Sequence, residues 1–172
     1  MYNASVLFGP EGVIGSYRKI HLWHCEKLYF APGDSLEVFR SAIGTIGLQV
    51  CYDIRIPEVT RSLALKGAEI ICSVWASFRK SNAPPDDPDL FKHRAYTRSV
   101  ENRIFFLSCN RSGKQGDFSF LGRSIVTSPN GTVLAASTTE DEEVIRAEIN
   151  LAAVTAYRTC TGVIADRRPN AY

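Results

Sequence analysis

The feature that most constrains the fold is a strand–helix–strand pattern over residues 45–74. Residues 45–50 are apolar almost throughout, which is typical of a strand covered on both faces. Pro57 suits the first position of a helix that runs to Lys66, and Gly67 suits its C-terminal cap. Residues 69–74 form a second apolar segment of strand length. With β-hairpins elsewhere, this unit predicts a mixed α/β fold built in layers.

The remaining segments extend this pattern in both directions. Short apolar runs bounded by turn residues predict strands, and apolar residues at helical spacing predict helices. The predicted strands cover residues 4–8, 13–18, 36–39, 104–109, 122–128, 132–137 and 144–149, and the predicted helices cover residues 90–102 and a short segment after residue 149. Residues 79–88, which contain three prolines, are predicted to form a loop.

Composition and charge exclude several classes of protein. The 172 residues are 45% hydrophobic, enough for one domain with a core, and the net charge of +2 provides no polybasic surface. No apolar run approaches the ~20 residues that cross a bilayer, and the N-terminus does not resemble a signal peptide. Five cysteines at unrelated spacings argue for a reducing compartment. We therefore expect a cytoplasmic domain that binds neither nucleic acid nor membrane.

Cys51 is the first candidate for chemistry, because it follows the apolar strand of residues 45–50 and precedes a helix. Such a strand fixes the side chain, and the turn exposes it beside backbone N–H groups that can hold an oxyanion. A buried structural cysteine is the commoner explanation for this position, since free cysteine is among the most buried residue types. The position alone leaves both interpretations open.

The residues around Cys51 resemble the nucleophile segment of the nitrilase, or carbon–nitrogen hydrolase, superfamily. Residues 50–58 read VCYDIRIPE, and residues 67–71 read GAEII, as in the strand that follows the nucleophile helix of that family. Upstream, residues 17–22 read YRKIHL, which resembles the segment that carries the family's catalytic lysine. Three later segments, 100–103 (VENR), 109–113 (CNRSG) and 166–168 (DRR), match in the same order, so the resemblance covers essentially the whole chain.

The resemblance implies a nitrilase-type α-β-β-α sandwich, here incomplete at its N-terminal side, and a Glu–Lys–Cys mechanism. Cys51 would be the nucleophile and Lys19 its electrostatic partner. Lys19 and the backbone N–H of Tyr52 would stabilise the tetrahedral oxyanion. An ordinary solvated lysine is the alternative for Lys19, and only the flanking motif favours the catalytic role.

The third member of that mechanism, the general-base glutamate, lies upstream of the lysine segment in the family. We therefore expect it to be absent from residues 1–172, which would form a partial carbon–nitrogen hydrolase domain that is inactive alone. Glu26 resembles an additional active-site glutamate that follows the lysine segment in many members. A surface role is the alternative for Glu26.

Further roles are implied for residues beside these motifs. Asp53 and Arg55 would order the nucleophile turn through ionic hydrogen bonds. Glu101 would support the site in a similar way, with a helix-surface glutamate as the alternative. Trp75, Ala76 and Ser77 follow the strand after the nucleophile helix, where the family builds part of its substrate pocket. A core aromatic is the alternative for Trp75.

Other clusters of reactive side chains offer less. His21, His24 and Cys25 have no fourth ligand at a useful spacing, so we expect no metal site. Cys72 and Cys109 lie within or at the end of apolar strands, which predicts that both are core residues.

The function implied by the resemblance is hydrolysis of a non-peptide carbon–nitrogen bond through a thioester, without metal or organic cofactor. The sequence Cys-Tyr-Asp, where true nitrilases have Cys-Trp-Glu, favours a small amide or N-carbamoyl substrate over a nitrile. A thiol acyltransferase on the same fold and an inactive interaction protein are the alternatives. Members of the family usually pair, so we expect a homo-oligomer.

Overall fold

A six-stranded sheet forms the centre of the molecule in the computed structural model, which describes residues 1–80, 87 and 89–171. In chain order, the strands and α-helices are β1 (Ala4–Gly9), β2 (Gly12–Arg18), β3 (Val38–Ser41), β4 (Gly44–Val50), α1 (Pro57–Leu65), β5 (Ile70–Trp75), β6 (Phe78–Lys80), α2 (Leu90–Asn102), β7 (Phe105–Asn110), β8 (Ser112–Gln115), β9 (Phe118–Leu121), β10 (Ile125–Thr127), β11 (Val133–Ala136) and α3 (Ala152–Thr161). Short 3₁₀ helices cover His24–Leu28, Cys51–Arg55 and Pro169–Ala171.

The central sheet has the strand order β11-β10-β7-β5-β4-β3. Its middle strands β4, β5 and β7 are parallel, because α1 and α2 provide the crossover connections, whereas the outer strands pair antiparallel. Parallel strands end at the same edge of a sheet, so the segments that follow β4, β5 and β7 meet there. Cys51 follows the first of these strands, and Trp75 and Asn110 are the last residues of the other two.

One face of the central sheet is covered by α1 and α2. Leu63 of α1 and Ala95 of α2 are fully buried there, together with Ile71 of β5 and Phe106 of β7. This layer explains why both helices form on amphipathic segments of this length, since burial of the apolar face stabilises a short helix more than its intrinsic propensity does.

The opposite face is covered only in part by the described residues. Tyr17 of the β1–β2 hairpin and Val154 of α3 pack there against Leu48 and neighbouring side chains. Farther along the same face Val74 is 43% exposed, and its partner in β7, Cys109, is exposed. The prediction that Cys109 is a core residue was therefore wrong. Cys109 shares a strand face with the apolar residues Phe105 and Leu107, but the second layer does not extend over this end of the strand.

The predicted hairpin at residues 4–18, the strand–helix–strand unit at 45–74 and the helix at 90–102 are confirmed. The strand predicted at 144–149 was wrong: this described segment has irregular backbone, and Val144 is 82% exposed. An alternating apolar pattern predicts a strand only where a neighbouring strand is available to accept its hydrogen bonds.

A small second sheet, in the order β6-β9-β8, was not predicted. β8 is polar and contains a glycine, and β9 has only four residues, so neither strand stands out in a search for apolar runs. Part of the loop predicted at 79–88 is instead the end of β6, and residues 81–86 and 88 lie outside the described part of the chain. The strands predicted at 122–128 and 132–137 are shorter, as β10 and β11. No helix among the described residues has the length and apolar character to cross a bilayer.

Candidate active site

Cys51 lies at the first position of the 3₁₀ helix Cys51–Arg55, immediately after β4. Its φ of +47° is in the left-handed region, which is uncommon for residues other than glycine and persists only where the surroundings hold it. The thiol is partly buried. α1 begins at Pro57, as the sequence predicted, and the short turn with an extended residue at Ile56 separates Cys51 from it.

Asp53 connects this nucleophile turn to the lysine segment. Its carboxylate is fully buried and accepts hydrogen bonds from Val50 N at 3.0 Å, Tyr17 Oη at 2.8 Å and His21 N at 3.1 Å. The His21 ring lies 3.0 Å from the same carboxylate through Nδ1. Burial first, and the negative charge of Asp53 second, raise the pKa of Tyr17, so its hydroxyl remains a donor. Residues on both sides of Lys19 are thus bound to the turn that begins with Cys51.

Lys19 is buried, with 1% of its surface exposed, which contradicts the alternative of a solvated surface lysine. Its Nζ lies 2.6 Å from Glu26 Oε2, and its backbone N–H donates to Asn3 O at 2.8 Å. A buried ammonium needs such a partner, since desolvation of an unpaired charge is costly. The ion pair with Glu26 therefore fixes the Lys19 ammonium in the interior of the protein.

Glu26 is held by three donors rather than exposed as a free base. Besides Lys19, Asn3 Nδ2 donates to Oε1 at 2.8 Å and Trp23 N donates to Oε2 at 2.7 Å. Burial acts to raise the pKa of Glu26, but the hydrogen bonds from Lys19, Trp23 and Asn3, with the Lys19 charge, outweigh it and lower the pKa below the ordinary 4.5. This geometry favours a role for Glu26 in orienting Lys19.

Arg55 lies elsewhere than the sequence implied. Within the described ranges it forms no ion pair with the nucleophile turn; its guanidinium is exposed and lies 5.5 Å from the centre of the Tyr52 ring. The expected ionic hydrogen bond from Arg55 was therefore wrong, and Asp53 alone of that pair anchors the turn.

Glu101 reaches the turn through Arg98, a residue that the sequence motifs did not single out. Its carboxylate pairs with Arg98 Nη1 at 3.0 Å, and Arg98 Nε donates to the carbonyl of Ile54 in the nucleophile turn at 3.0 Å. The signal that could have found Arg98 is its position three residues before Glu101 on the same helix, where the two side chains share a face.

A pocket opens beside Cys51, with Tyr52, Trp75 and Ala76 in its wall, as expected from the motifs. Trp75 serves both as core and as wall, because it is buried and its ring packs 5.1 Å from that of Phe91. The other described lining residues are Trp23, Ile54, Arg55, Ser77, Phe78, Leu90, Phe91, Arg94 and Leu121.

Most of these wall residues could not be recognised in the sequence, because they come from β6, α2 and β9 rather than from the motifs. Asn110 is not among the lining residues but supports the wall behind them. Its side chain accepts a hydrogen bond from Ser77 N at 2.9 Å and donates one to Gly122 O at 2.7 Å. Its segment matched a motif, but no role followed from the match.

The three residues considered for a metal do not form one site. The His21 ring contacts Asp53, whereas His24 and Cys25 are exposed. Across residues 1–80, 87 and 89–171, no three histidine, cysteine or carboxylate side chains meet in a way that could hold a metal ion.

Comparison with known proteins identifies the family of the chain. A family model described as carbon-nitrogen hydrolase matches residues 1–159. The chain is 37% identical to a nitrilase of Pyrococcus abyssi over 100% of its own length and 63% of that protein, and 36% identical to an (R)-stereoselective amidase of a Pseudomonas species over 97% and 59%. The crystal structure of a carbon-nitrogen hydrolase from Helicobacter pylori G27 superposes with a TM-score of 0.93 at 30% identity, over 99% of this chain and 64% of that one.

These matches also measure how much of the fold is present. The chain spans about 60% of the length of the relatives it matches, which fits a nitrilase-type sandwich whose second sheet is represented here by a two-stranded hairpin. The chain belongs to the carbon–nitrogen hydrolase family.

Proposed function

We propose that these 172 residues carry the nucleophile and its cationic partner for an amidase-type hydrolase, which cleaves a non-peptide carbon–nitrogen bond through a thioester on Cys51. The observation that carries the proposal is the Asp53 carboxylate. It binds residues on both sides of buried Lys19 as well as the backbone that leads into Cys51. A nucleophilic cysteine needs a nearby positive charge to favour the thiolate, and the proposal assigns that part to Lys19, whose neighbours Tyr17 and His21 both bind Asp53.

The proposed chemistry uses the side chains in the following roles. The Cys51 sulfur attacks the carbonyl carbon of the amide, and the oxyanion is stabilised by the Tyr52 backbone N–H and the Lys19 ammonium. The carbon–nitrogen bond then breaks, the leaving nitrogen takes up a proton, and a thioester remains. Water adds to the thioester, releasing the carboxylic acid and restoring the thiol.

Proton transfer in these steps requires a general base that the described residues do not offer. Glu26 is ionised but already accepts three hydrogen bonds, and Glu101 is paired with Arg98. We therefore place the base glutamate on a segment outside residues 1–172, which form a partial catalytic domain, with the whole enzyme expected in the cytoplasm as a homo-oligomer.

The pocket wall suggests which amides fit. Aromatic rings from Trp23, Trp75 and Phe78 form much of it, and the charged groups among its described residues are the guanidinium groups of Arg55 and Arg94. A small amide or N-carbamoyl compound with an apolar remainder suits these surroundings, because the wall is largely aromatic.

The order of cysteine alkylation tests the proposal. Iodoacetamide at mildly acidic pH should label Cys51 before Cys25, Cys109 and Cys160 if Cys51 is the activated nucleophile that we propose. Accessibility alone predicts the reverse, since those three thiols are exposed and Cys51 is partly buried.

Lys19→Met removes the charge but keeps a side chain of similar length, and it should abolish the preferential labelling of Cys51. Peptide mapping that finds Cys25 or Cys160 labelled first in the parent chain would refute the assignment of Cys51. In an active form of the enzyme, a product assay with and without an added amine separates hydrolysis from acyl transfer to the amine.

A further inference from the structure

The nucleophile turn has a second polar anchor, which comes from α2. Arg98 Nε donates to the carbonyl of Ile54 at 3.0 Å, and Arg98 Nη1 donates to Glu101 Oε2 at 3.0 Å. The Arg98 side chain is only 11% exposed, and Ile54 is 2% exposed. A guanidinium thus bridges a carbonyl of the Cys51–Arg55 turn and a carboxylate on its own helix.

This anchor acts on backbone that the Asp53 side chain does not reach. Asp53 binds Val50 N at the start of the turn, and its own carbonyl accepts from Ile56 N at 3.0 Å. The Ile54 carbonyl lies between these bonds and is buried, so without Arg98 it would lose its charged donor in a place that water reaches poorly. A hydrogen bond from a charged donor is stronger than one between neutral groups.

The need for a second anchor follows from the conformation of Cys51. Its φ of +47° is unfavourable for a residue with a side chain, and such conformations persist only where neighbouring contacts over-determine them. Asp53 fixes the entry to the turn, and Arg98 fixes its middle.

We propose that Arg98 is a positioning residue: it holds the nucleophile turn closed, and Glu101 orients it. The expected effect of Arg98 on Cys51 reactivity rests on the proposed function. Its effect on the conformation of the turn does not. Arginine suits this task because its planar fork binds two partners at once, which a lysine ammonium at the end of a flexible chain cannot do in the same geometry.

Hydrogen–deuterium exchange of the peptide 51–56 tests the proposal, with Arg98→Met as the variant. Arg103→Met is the matched control, because Arg103 Nη1 donates to the carbonyl of Pro129 at 3.1 Å from the C-terminal end of the same helix. Both variants lose a guanidinium–carbonyl bond, but only Arg98→Met touches the turn. We expect exchange of peptide 51–56 to accelerate about tenfold in Arg98→Met and to be unchanged in Arg103→Met.

Two milder variants keep the test decisive if Arg98→Met does not fold. Arg98→Lys should give intermediate exchange, and Glu101→Gln a smaller increase, both confined to peptide 51–56. Equal exchange of that peptide in the Arg98 and Arg103 variants, or an increase spread over the whole chain, would overturn the proposal. On the same samples, alkylation of Cys51 should slow relative to that of Cys25 in Arg98→Met but not in Arg103→Met. If Cys51 is unreactive in the parent chain, the proposed function fails while the exchange comparison still decides the role of Arg98.

Discussion

Asp53→Asn tests how strongly the buried carboxylate joins the lysine segment to the nucleophile turn. Oδ2 of Asp53 accepts from Tyr17 Oη and Val50 N, and Oδ1 accepts from His21 N. An asparagine side chain has nearly the same shape but one acceptor oxygen, and its NH₂ group must face donors on one side. The favoured orientation keeps the oxygen toward Tyr17 and Val50, which leaves His21 N without its acceptor.

The cost of this change can be estimated from those bonds. One partly buried donor, His21 N, loses its partner, and the remaining hydrogen bonds lose the charge of their acceptor, so we expect the free energy of unfolding to fall by about 2–4 kcal/mol. Because the freed segment carries Lys19, the same variant should also slow Cys51 alkylation at mildly acidic pH. A purely structural role for Asp53 would lower stability without changing the reactivity of Cys51 in the folded protein.

Urea unfolding followed by tryptophan fluorescence measures the first quantity, and peptide mapping after brief alkylation measures the second. Asp117→Asn is the control, because Asp117 is an exposed carboxylate in the turn between β8 and β9 and should change stability by less than about 0.5 kcal/mol. If Asp53→Asn unfolds at the same urea concentration as Asp117→Asn, or if Cys51 keeps its rate of alkylation, the proposed link between the two segments is refuted.

Three further predictions follow from the same contacts. In an active chain that includes the upstream segment, Lys19→Ala should lower kcat about 100- to 1000-fold with little change in KM. Lys19→Arg should be similarly impaired. Near-normal turnover of these variants in steady-state assays would contradict a catalytic role for Lys19. The lowered pKa of Glu26 means that its contribution to stability is present above the ordinary 4.5 and is lost as pH falls through the lower folded value. Urea midpoints should therefore show that Glu26→Gln is destabilised at neutral pH and loses less stability on acidification than the parent; equal slopes would contradict the ion pair. Residues 1–172 alone should associate through the open sheet face at Val74 and show no multiple turnover on an amide panel, and a monodisperse, active monomer in light scattering would contradict both expectations.

Local sequence patterns determined much of the fold and the centre of the site. The helix over residues 90–102 and the unit over 45–74 appear in the structure because their apolar spacing and their Pro57 and Gly67 signals act over a few residues. Cys51 and Lys19 could be selected because each stands inside a motif, although no pattern could say that Lys19 is buried or that Glu26 lies 2.6 Å from it.

Only the tertiary structure decided which distant groups share a partner. Asp53 and Tyr17 are 36 positions apart, and Arg98 and Ile54 are 44 apart, so neither contact leaves a periodic signal in the sequence. The exposure of Cys109 was equally hidden, because an apolar strand looks the same whether or not a second layer covers it. Short-range periodicity reports the conformation of a segment, whereas burial and hydrogen bonding depend on which other segments pack against it.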